Sequence, residues 1–188
     1  MKKENRMPPG QRPIEEWPEL QFGIVPHINA SEWKFRIWGL TEKERELTFE
    51  GFTSLPQVKV YADAHCVEGW SLMDNLWEGV STSVLKELVR IQPEARFVIV
   101  HCMEDYKTNL PLNDFFAEDA LFAIKHNGKL LTPEHGYPIR LVIPKLYFWK
   151  SAKWIVGIEF TRMDRSGYWE SRGYHNHGDP LKEERYRD

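Results

Sequence analysis

The sequence predicts an α+β domain in which strands dominate, and three observations carry that reading. Roughly six to eight segments have strand length with apolar or alternating side chains, against two or three short helical ones. A chain of 188 residues with 41% hydrophobic content fits one domain, or one domain with extended arms, around a sizeable core. Neither an internal repeat nor a low-complexity tract divides it. Residues 1–16 read as an extended N-terminal arm and residues 17–188 as the folded domain.

Five of the twelve prolines (Pro8, Pro9, Pro13, Pro18 and Pro26) fall in the first 30 residues, which should wrap the surface rather than form helix. Trp33 to Trp38 alternates as a strand closed by Gly39. Leu47 to Leu55 reads as a short strand entering a helical turn. Gln57 to Asp63 alternates again, with Val58 and Val60 inward, and delivers the chain to His65 and Cys66. Ser81 to Ile91 is the clearest helix, capped by Ser81 or Ser83, with Val84, Leu85, Leu88 and Ile91 at helical spacing. Arg96 to Val100 is an apolar β run ending on His101 and Cys102. A short helix over Pro111 to Phe116, an apolar segment over Ala120 to Ile124 and an Asn127-Gly128 turn follow. Arg140 to Pro144 and Trp154 to Thr161 complete the strands. Residues 164–188, crowded with charges and aromatics, read as an irregular tail folding back on the domain.

Composition excludes several function classes. With 25 basic and 28 acidic residues the net charge is -3, and no basic face with interleaved aromatics points to nucleic acid. Met1 to Arg12 is polar and basic with no apolar stretch behind it, so neither a signal peptide nor a membrane anchor is expected. No run approaches the ~18 apolar residues of a membrane span. The chain reads as cytoplasmic, with no nucleic-acid or membrane partner. Two cysteines, Cys66 and Cys102, do not make a disulfide framework; a metal or redox role, or plain burial, is expected. The 8 Trp, 7 Tyr and 10 Phe read either as bulky core or as walls of a deep pocket.

The chemistry-bearing residues cluster at strand ends. Cys66 closes a strand at a turn containing Gly69, a usual place for a ligand or nucleophile, although an inert buried cysteine gives the same pattern. His101-Cys102 repeats the His-Cys pair. A structural zinc site with His175 or His177 is the sharp reading, weakened by the lack of closely spaced ligand pairs. His135-Gly136-Tyr137-Pro138-Ile139-Arg140 and Lys150-Ser151-Ala152-Lys153-Trp154 gather cations and a hydroxyl able to clamp a phosphate. No glycine-rich nucleotide loop is present.

Read as blocks, these segments become recognisable. Asp63-Ala64-His65-Cys66-Val67-Glu68-Gly69-Trp70-Ser71 is followed by Asn75-Leu76-Trp77-Glu78-Gly79-Val80 and by Tyr106-Lys107-Thr108-Asn109-Leu110-Pro111-Leu112. Then come the His135 to Arg140 and Lys150 to Trp154 blocks, and a tail with Gly173-Tyr174-His175 and Gly178-Asp179-Pro180. Together, in this order over roughly residues 17–187, they resemble the sulfite-oxidase-like molybdopterin oxidoreductases.

That resemblance implies the mixed, mainly antiparallel α+β fold of the sulfite-oxidase molybdopterin-binding domain, with molybdopterin buried inside. Cys66 matches the family's molybdenum-ligating cysteine. His135, Arg140, Ser151 and Lys153 match positions that hold the pterin and its phosphate. Tyr106 looks like the active-site tyrosine, and Trp77 resembles an aromatic bordering the substrate pocket. His65 and Asn109 lie beside these motifs and are carried over as cofactor contacts. The implied activity is two-electron oxygen-atom transfer on a small molecule, with a separate and unidentified electron partner. Where related sulfite oxidases carry arginines after the cysteine, this chain has Glu68, Gly69 and Trp70. An acid there repels sulfite, which favours reduction of a neutral S-oxide or N-oxide. A cofactor-free or zinc-stabilised binding module of the same fold is the alternative.

Overall fold

The computed structural model describes residues 6–21 and 23–187. In chain order its strands are β1 (Arg12–Ile14), β2 (Lys34–Gly39), β3 (Arg45–Thr48), β4 (Gln57–His65), β5 (Trp70–Ser81), β6 (Phe97–Cys102), β7 (Lys107–Pro111), β8 (Leu121–His126), β9 (Lys129–Leu130), β10 (Arg140–Val142) and β11 (Ile155–Thr161). The helices α1 (Phe49–Thr53), α2 (Val84–Val89) and α3 (Leu112–Phe115) are short. One sheet runs β1-β5-β8-β10, with β4 also on β5 and β9 also on β8; the other runs β3-β2-β11-β6-β7. β1 with β5 and β2 with β11 pair in parallel, and the other named pairs are antiparallel. This is the mixed, mainly antiparallel α+β arrangement that the sequence predicts.

Two expectations need correction. The strands are more numerous than six to eight, because β1, β5, β7 and β9 lack a clean alternation. β5, the longest, contains Asp74 in the left-handed region (φ 59°) and a register shift at Glu78/Gly79, so its hydrophobic period breaks twice. Finally, the helix expected over Ser81 to Ile91 is only α2. Ser81 ends β5, Ser83 occupies the N-cap without a side-chain cap bond, and Arg90 ends the helix at φ 47°. The strand-into-helix reading of 47–55 does hold. Thr48 accepts from the Gly51 amide through its Oγ1 at 3.1 Å and starts α1 there.

The first sheet buries both faces, and this positions the site. Along β8, Phe122 and Ile124 enter one apolar cluster while Leu121 and Ala123 enter another, as the two-residue period of a strand requires. The larger cluster fills the space against the second sheet. There Phe122 meets Phe35, Phe52 and Phe115 with ring centroids 5.3, 5.7 and 6.0 Å apart. Each such phenylalanine contributes about 1.5–3 kcal/mol of apolar burial. The opposite face of the first sheet, with Trp70, Leu72 and Trp77, is covered by Trp17, which directly follows the arm, and by Phe148. No helix among the described residues is long and apolar enough to cross a membrane.

Residues beyond 164 are irregular apart from 3-10 turns at Glu170–Arg172 and Pro180–Lys182, and they fold back as expected. One clasp is His177, whose Nε2 lies 2.8 Å from Asp114 Oδ2 and whose Nδ1 lies 2.9 Å from Glu184 Oε2. Lys145 also pairs with Asp114. The Asp114 hydrogen bond raises the His177 pKa above its ordinary value, against the opposing effect of burial. A raised folded pKa means that this contribution is complete below the unfolded value and is lost as pH rises through the folded one. We expect protection of the tail from proteolysis to fall as pH is raised from about 6 to about 9. The His177→Gln variant should lower protection at the acid end and flatten the profile. An identical profile in that variant would remove His177 from the clasp.

Candidate active site

β4 and β5 are joined by a tight turn that presents Cys66. The Cys66 amide donates to the Trp70 carbonyl at 2.8 Å, and the Gly69 amide donates back to the Cys66 carbonyl at 3.0 Å. Gly69 closes the turn at φ +89°, where a side chain would be strained. The thiol is half-buried and unpaired with Cys102. Burial pushes its pKa up to about 11, opposed in part by the neighbouring backbone of Glu68 and Val67. Such a thiol is a poor free nucleophile at neutral pH; a metal that binds it displaces the proton.

Beside Cys66 lies a cavity of about 320 Å³, within the range of small-molecule sites. Cys66, Tyr106, His135, Arg140, Ser151 and Lys153 all line it. Arg140, at the start of β10, is 4% exposed and has no carboxylate partner among the described residues. Its guanidinium donates to the carbonyls of His135 (3.0 Å) and Ser151 (2.7 Å) and lies 4.2 Å from the Phe148 ring centroid. Burial pulls its pKa down to about 9, and its Nε has no partner among the described residues. His135 stacks on Trp17 with ring centroids 4.0 Å apart. Its Nδ1 lies 3.0 Å from Thr132 Oγ1 and its buried Nε2 has no partner. Burial first, then Arg140, lowers its pKa, so the ring is neutral at pH 7. Lys153 donates to the carbonyls of Leu20 and Glu134, both at 2.7 Å. Burial and then Arg140 bring its pKa down to about 7. Ser151 Oγ accepts from the Ile143 amide at 3.0 Å.

The other wall is aromatic and comes largely from the tail. Trp169 and Tyr174 stack at 4.9 Å, and Tyr174 meets Trp149 edge-on at 5.1 Å. Tyr106 donates its hydroxyl to the Trp149 carbonyl at 2.9 Å. Burial, with Glu170 adding to it, holds this phenol well above its ordinary pKa, so it stays protonated. Beneath the wall the Lys150 ammonium pairs with Glu170 Oε1 at 2.6 Å, both side chains being fully buried. Trp149 Nε1 and Thr108 Oγ1 donate to the same oxygen at 2.9 and 3.0 Å. Lys150 is therefore an internal strut and not a cavity cation.

Three residues taken from the motifs stand outside the cavity. Trp77 is fully enclosed in the apolar cluster beneath it, edge-on to Trp17 at 5.3 Å, and does not border the opening. His65 lies on the far side of the turn, its Nδ1 2.8 Å from Ser71 Oγ. Asn109 is buried under the tail, donating to Asp164 at 2.7 Å and accepting from Lys150 at 3.2 Å. The zinc alternative finds no ligand set. His101 pairs with Glu159, Cys102 is buried, and no cluster of three metal-ligating side chains occurs among the described residues. Conversely, Trp17, Glu134, Phe148, Trp149, Trp169 and Tyr174 line the cavity without having been singled out for it. Apart from Glu134, their only sequence signal is aromatic abundance.

The donor set suits molybdopterin. A single soft sulfur suits the metal, and a buried guanidinium and a half-buried imidazole, each with one nitrogen unpartnered among the described residues, plus an ammonium, suit a phosphate. The aromatic faces suit a flat heterocycle.

Comparison with known proteins agrees. Residues 22–169 match the family described as oxidoreductase molybdopterin binding domain. The chain is 45% identical over 182 residues to the uncharacterized oxidoreductase YuiH of Bacillus subtilis, covering 96% of this chain and 92% of that protein. It is 32% identical over 171 residues to the protein-methionine-sulfoxide reductase catalytic subunit MsrP of Campylobacter jejuni, covering 79% of this chain and 55% of MsrP. Among solved structures the sulfane dehydrogenase SoxCD of Paracoccus pantotrophus matches with a TM-score of 0.69 at 22% identity. That match covers 74% of this chain and 40% of that one, and it shows a shared fold.

The Lys150–Glu170 strut generates a stability test. Removing one member of a buried pair strands the other, so Lys150→Met should cost about 3–5 kcal/mol in chemical denaturation. Adding Glu170→Leu to that variant should recover much of the loss. A single variant within about 1 kcal/mol of the parent would show that the pair is not a strut.

Proposed function

Because the chain belongs to the oxidoreductase molybdopterin-binding domain family, we propose that Cys66 ligates the molybdenum of a molybdopterin held in this cavity, and that the chain reduces a small S-oxide or N-oxide. That the chain is a molybdopterin-dependent oxidoreductase follows from its family; the substrate and the residue roles are the proposal. The observation that supports it most is the convergence of a half-buried thiol and an unpaired, buried guanidinium on one cavity. The Cys66 thiolate is a soft, strongly donating ligand. Arg140, His135 and Lys153 would hold the pterin phosphate through charge-assisted and neutral hydrogen bonds. Ser151 shapes the same end, its carbonyl on Arg140 and its hydroxyl on the Ile143 amide. When bound, the cofactor supplies two-electron redox chemistry with transfer of an oxygen atom.

Reduction of a dialkyl S-oxide consumes two electrons and two protons, breaks the S–O bond and yields the thioether and water. The electrons come from a separate carrier. Glu68 lines the cavity, and the cations that line it belong to the phosphate end of the proposal. Among the arginines outside the phosphate end, Arg36 is tied to Glu44, Arg172 is stacked on Tyr168 and Arg185, beside the Cys66 turn, is spent on the Val67 carbonyl; none of them lines the cavity. An entering anion would lose water beside a like charge, whereas a neutral oxide loses less hydration. Similarity to a protein-methionine-sulfoxide reductase supports the same direction of reaction. A cytoplasmic location, the setting that suits two unpaired cysteines, is part of the proposal.

Protein made in a host that synthesises the cofactor supplies the test. Cys66→Ser should keep the fold and lose turnover, because a hydroxyl is a harder and weaker donor. Arg140→Ala should lower pterin content about tenfold or more, the worth of a charge-assisted phosphate contact. Normal pterin and full activity in both variants would remove these residues from the site. For substrate, reduced viologen with dialkyl S-oxides or N-oxides should turn over faster than sulfite with an electron acceptor. Faster, saturable sulfite oxidation would overturn the substrate assignment.

A further inference from the structure

The lining of the cavity is uneven in charge. Its cations, Arg140 and Lys153, both donate to backbone carbonyls at the end proposed for the phosphate. Its carboxylates are Glu68, Glu104 and Glu134. Glu68 and Glu104 are also exposed, so they stand at the rim, where the cavity meets water. Neither has an ion-pair partner among the described residues. Arg185, beside the same turn as Glu68, donates instead to the Val67 carbonyl.

Glu104 is held at the rim by a costly turn. Met103 to Tyr106 join β6 to β7, with the Tyr106 amide donating to the Met103 carbonyl at 3.3 Å and the Cys102 amide to the Tyr106 carbonyl at 3.0 Å. Both central residues are left-handed, Glu104 at φ 56° and Asp105 at φ 55°. A two-residue hairpin turn of this kind usually takes Asn-Gly, and a glutamate at its first position is strained. Turn chemistry therefore does not account for Glu104.

The same cavity has an aromatic wall. Trp169 lines it, backed by Tyr174 with the two planes 24° apart. Both rings pack against the cluster that contains Val67, the residue between Cys66 and Glu68. A ring face attracts a cation within about 6 Å of its centre, and tryptophan does so most strongly. An exposed carboxylate alone changes affinity only a few-fold, whereas carboxylates and an indole face together reach about tenfold.

We propose that Glu68, Glu104 and Trp169 make this rim selective for a cationic group, so that the preferred oxide carries an ammonium a few bonds from its S–O or N–O bond. The inference rests on the oxide-reductase reading for the bond that is broken, and on the rim alone for the charge preferred. The ammonium takes no part in the two-electron, two-proton reduction; it holds the substrate by its far end.

Three methyl sulfoxides that differ only in an end group test this on the cofactor-loaded protein with reduced viologen. The end groups are trimethylammonium, its uncharged isostere tert-butyl, and sulfonate. The cationic oxide should exceed the tert-butyl one about tenfold in kcat/KM, chiefly through KM, and the sulfonate should be the poorest. Fluorescence titration with the corresponding thioethers, which are not reduced, should give the same order of affinity. Glu68→Gln and Glu104→Gln should each lower the cationic-to-neutral ratio about threefold, and Trp169→Leu about fivefold. Glu104→Asn, which suits the turn, and Trp169→Phe, which keeps a ring, guard against folding defects and should lower the ratio as well. Equal kcat/KM and equal affinity across the three end groups overturn the inference, as does a cationic preference that survives all of these variants. The reading beneath it fails separately. If none of the oxides is reduced while the cationic thioether still binds most tightly and loses that advantage in the variants, the rim's selectivity stands and the oxide-reductase assignment falls.

Discussion

A guanidinium buried with no carboxylate partner among the described residues is the constraint around which this fold is arranged. Arg140 opens the short strand β10, whose pairing with β8 draws it into the protein, where an uncompensated charge is costly. The offsets come from the neighbouring chain. The His135 loop turns its carbonyl to the guanidinium, the 3-10 turn at Phe148–Lys150 supplies the Ser151 carbonyl, and the rings of Phe148 and Trp17 cover it. These offsets are partial, since the Arg140 Nε and the His135 Nε2 stay unpartnered. In the proposed reading the pterin phosphate would complete what the protein leaves incomplete, at a place where the open site costs stability.

The enclosure of that site depends on both ends of the chain. The first sheet offers an apolar face with Trp70 and Trp77, and the N-terminal segment covers it through Trp17, which touches His135, His126, Trp77 and Arg140. From the other side the tail contributes Trp169 and Tyr174. Its Glu170 reaches under the wall to meet Lys150 and Trp149. Segments that read as accessory in the sequence thus become walls. The same two segments grip the Cys66 turn, so cavity shape and the placement of Cys66 are coupled through contacts of long sequence separation.

The residues readable in the sequence were those whose chemistry is local. Cys66 at a strand end, the His135 to Arg140 turn and the Ser151 to Lys153 run each carry their signal within a few positions, and the fold gathers them with Tyr106 around one cavity. Nearness in sequence misleads where strands are concerned, because adjacent side chains point to opposite faces. His65 sits beside Cys66 in the chain yet faces Ser71, away from the cavity. Trp77 follows the cysteine motif along β5 and is pressed into the cluster beneath the opening. Asn109, in the Tyr106 block, is claimed by the tail. The cavity's aromatic lining had no motif, since a tryptophan reads the same whether it fills a core or walls a pocket.

The fold class, the core strands and the turn bearing Cys66 follow from local pattern. Alternation marks β2, β4 and β11, an apolar run marks β6, and turn residues separate them; each signal spans fewer residues than one element. The length of β5, the shortness of α2 and the pairing of the arm with β5 were settled by tertiary contact. β5 is held through its irregular Asp74 and Gly79 by β4 on one side and β8 on the other, which supply the ladder bonds that its own pattern does not advertise. Whether a given cation is a strut or a ligand for the cavity was likewise decided only in three dimensions. Lys150 and Lys153 stand three positions apart in one motif, but Lys150 meets Glu170 and Lys153 meets backbone carbonyls and open space. The free energy of a charge is set by the groups around it, and those groups come from distant parts of the chain.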